Sequence, residues 1–255
     1  MNQDNNSAFR LLAILHAALH YPENKPTQEV WGETFRVQPT DTAEILRSLV
    51  ALTDSVDEIE KLIKLIPDTN YDLYLECLPP IRKGVSYPHI GNSWQSVRIY
   101  FAPENLRGLQ FCADLLARHY PEASIPKTEL DQISKFTDEL FSEVHSSTID
   151  PKLRVILLDL LETIRRCIAE YQIRGAKGMR QTVTAALDTL AQTIRKKPAA
   201  DYTKEDKIFV ARFLTILSKV DTAVAKAMTY LPLLQKLPEW AESVRAYLPS
   251  NGCQS

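Results

Sequence analysis

Along most of this chain apolar residues return every third or fourth position, the spacing that gives a helix one buried stripe. Residues 7–20, SAFRLLAILHAALH, carry that pattern, with Ser7 placed to cap the helix. A short helix is expected from Thr27 to Phe35, opened by Pro26. The most regular run is Ile45, Leu49, Leu52, Val56, Ile59, Ile63 and Ile66, a heptad seam with Thr40 or Asp41 at its start and Pro67 at its end. Such a seam serves either a homodimer or a bundle helix packed inside its own domain. The flanking e positions (Leu46, Thr53, Glu60) and g positions (Ser48, Ser55, Leu62) lack the opposed charges that select a partner, which favours the intramolecular use.

After Pro103 the helical period resumes. Leu106, Leu109, Cys112 and Leu116 stripe one helix, and Leu130, Ile133, Phe136, Leu140 and Val144 stripe the next. Asp150-Pro151 pairs an N-cap with a proline at the first helical position, and Leu153, Leu157, Leu160, Ile164 and Cys167 follow it. A further helix carries Met179, Val183, Leu187, Leu190 and Ile194. A long one runs from Thr203 to about Leu231, and Pro232 and Pro238 frame a last one around Trp240, Val244 and Tyr247. Only 7 glycines occur in 255 residues, few for a fold rich in tight hairpins. The expected class is all-α, a multi-helix bundle. An N-terminal helical region (1–80) and a C-terminal bundle (103–250) flank an irregular, aromatic and basic connector at 81–102.

That connector reads in two ways. Val97, Ile99 and Phe101 alternate with polar neighbours as in a strand of a small hairpin, while Ser93 is placed to cap a short helix from Trp94. Arg82, Lys83, Tyr87, Trp94, Arg98 and Tyr100 have the composition of a protein-binding surface; the plainer use of the aromatics is to plug the end of a bundle.

Charge changes the picture in one place. The net charge is -2, yet residues 165–197 hold eight bases against Glu170 and Asp188. Within them YQIRGAKGMRQTV sets Gly175 and Gly178 among Arg174, Lys177 and Arg180, a candidate anion-binding turn for a nucleotide or nucleic acid. The same glycines also suit a turn between helices, Gly175 as the left-handed residue after a helix end and Gly178 where backbones approach. A P-loop is excluded, since it needs GxxxxGK[ST] after a strand. The spacing resembles the GxxG loop of the KH domain, but helices flank it where that fold requires strands.

Other chemistry is sparse. Cys77, Cys112, Cys167 and Cys253 form no CxxC pair, and His16 and His20 lack the glutamate of HExxH. No cofactor motif, nucleophile elbow or kinase signature is present, so neither metal nor cofactor is expected. No apolar run reaches membrane-spanning length, and MNQDNNSAFR does not have the form of a secretory signal, so a cytoplasmic location is expected. EVWGETF together with YQIRGAKGM resembles uncharacterised bacterial all-helical proteins, a resemblance that implies no activity. The expected function is a non-enzymatic interaction module for a protein partner, or an accessory subunit of a bacterial multi-protein or defence system. Anion binding through 165–197 is the alternative, and an enzyme with a site invisible in sequence the second alternative.

Overall fold

A computed structural model describes residues 5–86, 90–194 and 201–228, and every regular element among them is helical. The helices are α1 (Ser7–Leu19), α2 (Thr27–Phe35), α3 (Thr42–Lys64), α4 (Tyr71–Leu75), α5 (Leu78–Val85), α6 (Gln95–Arg98), α7 (Pro103–His119), α8 (Lys127–Ser146), α9 (Pro151–Ala169), α10 (Tyr171–Ile194) and α11 (Lys204–Met228). A 3-10 turn, Ile99–Phe101, joins α6 to α7. No strand occurs among the described residues. The fold is all-α. Tyr87, the bases Arg195 to Lys197 and the helix expected around Trp240 lie outside the described residues.

The chain divides into two units, residues 1–124 with 172–175, and residues 125–171 with 176–255. The division therefore falls after α7. The 81–102 stretch belongs wholly to the first unit and marks no boundary.

In the first unit the heptad seam of α3 is consumed internally. Ile45, Leu52, Val56, Ile59 and Ile63 are fully buried against Leu11, Leu15, Leu109 and Leu116 of the same unit. Each such side chain contributes roughly 1.5–3 kcal/mol when removed from water, so the seam is core of its own unit. Asp41 caps α3 by accepting the Glu44 N–H at 3.1 Å. For α1 the cap is Asn6, one residue before the expected Ser7. Its Oδ1 accepts the N–H groups of Ala8 and Phe9, and its Nδ2 donates to the Ala113 carbonyl of α7 at 3.0 Å. Asn6 wins because an amide both caps and donates, tying two helices together, where the Ser7 hydroxyl is buried with no partner.

The irregular stretch is not the hairpin that its alternation suggested; a short helix follows Trp94, as the other reading expected, though no side chain caps it. Residues 90–95 run antiparallel to 23–28. The Ile90 and Asn92 carbonyls accept from Gln28 and Thr27, each at 2.9 Å, and Trp94 N–H donates to the Lys25 carbonyl at 2.7 Å. Since Pro26 has no capping side chain, distant backbone supplies the acceptors that the first turn of α2 needs. The chain then turns through α6 and the 3-10 turn, delivering Trp94 and Phe101 into an aromatic cluster. Trp31 meets Trp94 edge-on at 5.3 Å between centroids and stacks on Phe35 at 5.3 Å. Gly84 makes room for this cluster: a Cβ there would fall 2.5 Å from Phe101 Cζ.

The second unit buries one face each of α8, α9, α11 and the part of α10 after Gly175. Leu140, Leu157, Leu161, Met179, Val183, Phe213 and Leu217 lie in one continuous core. Asp150 caps α9 as expected, accepting the Lys152 and Leu153 N–H groups. At the start of α11 a capping box forms from Thr203 and Asp206. The Thr203 hydroxyl accepts the Asp206 N–H at 3.1 Å, and the buried Asp206 carboxylate accepts the N–H groups of Thr203 (2.8 Å) and Asp150 (3.0 Å). One carboxylate thus fixes the starts of two helices.

Candidate functional site

Gly175 interrupts α10 with φ 61° and ψ -163°, a backbone state that essentially only glycine adopts. It is not the left-handed cap expected from sequence, which would have a positive ψ near 47°. Its surroundings explain the requirement. Arg10, buried on α1, donates from Nε to the Ile173 carbonyl at 3.1 Å and from Nη2 to the Arg174 carbonyl at 3.4 Å. Its Nη1 pairs with Glu122 at 2.8 Å and also meets the Asn5 carbonyl. The guanidinium therefore closes the short helical turn 171–174, satisfying carbonyls that the break at Gly175 leaves open. A side chain at 175 would overlap it.

The candidate anion-binding residues divide accordingly. Arg174 and Gly175 belong to the first unit, and Lys177, Gly178 and Arg180 to the second. Arg174 is half-buried and lies 3.6 Å from Asp54 of α3, while Lys177 and Arg180 have interactions of their own. Gly175, Ala176 and Gly178 are buried, so the start of the second helical stretch offers no open cradle of N–H groups.

The candidate partner-binding residues also separate. Trp94 is fully buried, which corrects its placement on a partner surface: the ring is core of the first unit. Arg82 reaches from α5 to Asp57 (2.5 Å) and Glu60 (2.8 Å) of α3. Glu60 accordingly has its pKa held below the ordinary carboxylate value, by Lys64 first and by Arg82 next. Lys83 is exposed, and Tyr100 is partly buried with its carbonyl accepting from Asn105.

Arg98 lines a cleft. Its cavity of about 630 Å³ lies in the first unit between α1, the α6–3-10 segment and α7. Leu19, Ile99, Phe101, Pro103 and Leu106 supply apolar lining, and His16, Glu23, Gln95, Arg98, Arg107 and Gln110 supply polar lining. The volume lies in the range of roughly 300–1,000 Å³ typical of ligand sites. Arg98 is loosely paired to Glu23 at 3.6 Å, and Ile99 is 65% exposed. The helical turn at 95–101 creates this arrangement: Val97 and Phe101 point into the core, so Arg98 and Ile99 are presented outward. Sequence reasoning missed the α1 and α7 walls, because His16, Glu23 and Arg107 carry no motif and meet only in the fold.

Three comparisons, with known protein families, with characterised proteins and with solved structures, each find no match. Among the described residues no group of three or more His, Cys, Asp or Glu is placed to hold a metal, and no helix is long and apolar enough to cross a membrane.

Proposed function

We propose that the protein is a non-enzymatic interaction module whose first unit takes a short acidic and aliphatic segment of a protein partner into the cleft beside Arg98. The cleft itself carries this reading: an apolar lining next to two guanidiniums is the equipment of peptide recognition. Apolar side chains of the partner gain burial against Leu19, Ile99 and Leu106, while Arg98 and Arg107 hold neighbouring carboxylates and set the register. Glu23 holds Arg98 weakly at the surface, and an incoming carboxylate competes with it on even terms. The free thiols of Cys77 and Cys112 suit work in a reducing compartment such as the cytoplasm.

Selection from a phage-displayed random peptide library tests this. The native chain is expected to enrich peptides with Asp or Glu beside aliphatic residues, and Arg98→Glu with Arg107→Glu should weaken binding of those peptides by at least about tenfold. No enrichment, or peptides that bind the charge-reversed chain equally well, would overturn the reading.

A further inference from the structure

A second feature of the first unit stands apart from the cleft. Cys77, at the N-terminal cap of α5, and Cys112, in the middle of α7, both donate to the carbonyl oxygen of Tyr74, at 3.5 Å and 3.1 Å. Two sulfurs on one acceptor are neighbours. Gly108 lets them be so: one turn before Cys112 on α7, it passes the Cys77 side chain so closely that a Cβ there would stand 2.7 Å from Cys77 Cβ and 3.1 Å from its Sγ. Over the pair lies α4, a five-residue helix with no buried side chain, so the cover is thin. Cys77 is 5% exposed and Cys112 fully buried, which makes Cys77 the sulfur that a small oxidant meets first.

We propose that Cys77 and Cys112 are a peroxide-reactive dithiol that closes to an intramolecular disulfide. In the first step the Cys77 thiolate attacks one oxygen of hydrogen peroxide. An S–O bond forms, the O–O bond breaks, and the departing hydroxide leaves as water after taking a proton. In the second step the Cys112 sulfur attacks the Cys77 sulfenic acid. The S–S bond forms, the S–O bond breaks, and the hydroxide leaves as water with the Cys112 proton. Two thiols are oxidised and one peroxide is reduced to two waters.

Hydrogen bonding between the two sulfurs lowers the Cys77 pKa from its ordinary value and, with burial after it, raises that of Cys112. The product would staple the start of α5 to α7.

The test uses the full chain carrying Cys253→Ser, reduced, then treated with hydrogen peroxide at neutral pH, alkylated, digested and mapped by mass spectrometry. The expected result is a linked pair of peptides containing Cys77 and Cys112, lacking two hydrogens and separated again by dithiothreitol, with Cys167 still a thiol. In Cys112→Ala, Cys77 is expected to stop at the sulfenic acid and be trapped by dimedone. Linkage of Cys77 or Cys112 to Cys167 would overturn the proposal. So would an unlinked Cys77, whether it remains a thiol or passes to the sulfinic acid. The linkage map decides the matter even if the alanine variant does not fold.

Discussion

Gly175 and Glu122 face one another so closely that a Cβ on the glycine would stand 2.5 Å from the carboxylate Oε1. The Arg10 guanidinium occupies the same corner, with the Arg10 and Glu122 side chains only 3% and 10% exposed. A glycine of positive φ, a buried ion pair and the end of a helical turn thus depend on one small volume. Gly175→Ala should lower stability by at least about 2 kcal/mol, the backbone strain adding to displacement of the pair. Urea unfolding measures it, and a loss of only a few tenths would show that the pair moves aside without cost.

Removing one charge of that pair should cost more. Arg10→Met leaves Glu122 buried without its cation, and the Ile173 carbonyl without its donor, at about 3–5 kcal/mol. Adding Glu122→Met should restore only part of this, because Arg10 also serves carbonyls that methionine cannot satisfy. A double variant as stable as the native chain would show that the carbonyl bonds contribute nothing.

Trp94→Ala should destabilise by about 3–5 kcal/mol, since the ring is fully buried against Trp31 and Phe101. A surface ring would give a change within about 0.5 kcal/mol in the same measurement.

Thr27 is fully buried at the start of α2 and its hydroxyl has no hydrogen-bond partner. Thr27→Val replaces that hydroxyl by a methyl of similar size. Stability should be unchanged or rise by about 1 kcal/mol; a fall of that size would mean the hydroxyl is satisfied in solution.

The contribution of Arg82 should depend on pH in a definite direction. Glu60 has a depressed folded-state pKa, so its pairing stabilises the fold above the ordinary carboxylate range and is lost as pH falls through the folded value. Native chain and Arg82→Gln should therefore differ by less than about 1 kcal/mol at neutral pH, and converge in acid. A gap that widens as pH falls would contradict this.

Elements whose information is local were legible before any coordinates. The α3 seam repeats with the helical period and has one apolar face to bury, and Asp150-Pro151 combines a cap with a fixed φ. Arg10 was not singled out in sequence: it lies among Ser7, Leu11, Ile14 and Ala18 on the buried face of α1, and the partners that make a charge tolerable there come from distant segments. The 90–95 stretch was not legible, because its task is to offer backbone carbonyls to α2, and a carbonyl leaves no trace in the choice of side chain. Nor was the cleft, whose walls come from α1, α6 and α7 and converge only after packing. Ile99 shows the cost: alternation placed it beside Val97 and Phe101, and one helical turn moved it to the opposite side.

The four residues 172–175 belong to the first unit although 125–171 before them and the residues after them belong to the second. The polypeptide thus passes from one unit to the other three times. No single cut yields either unit whole. A fragment ending at Ser124 keeps Arg10 and Glu122 but loses the two carbonyls that the guanidinium closes, and a fragment starting at Ile125 carries those carbonyls with no cation to receive them. Gene dissection at the obvious boundary would therefore yield two partners with matching defects, and mixing the halves is the way to find whether the short return strand of chain is what makes them one protein.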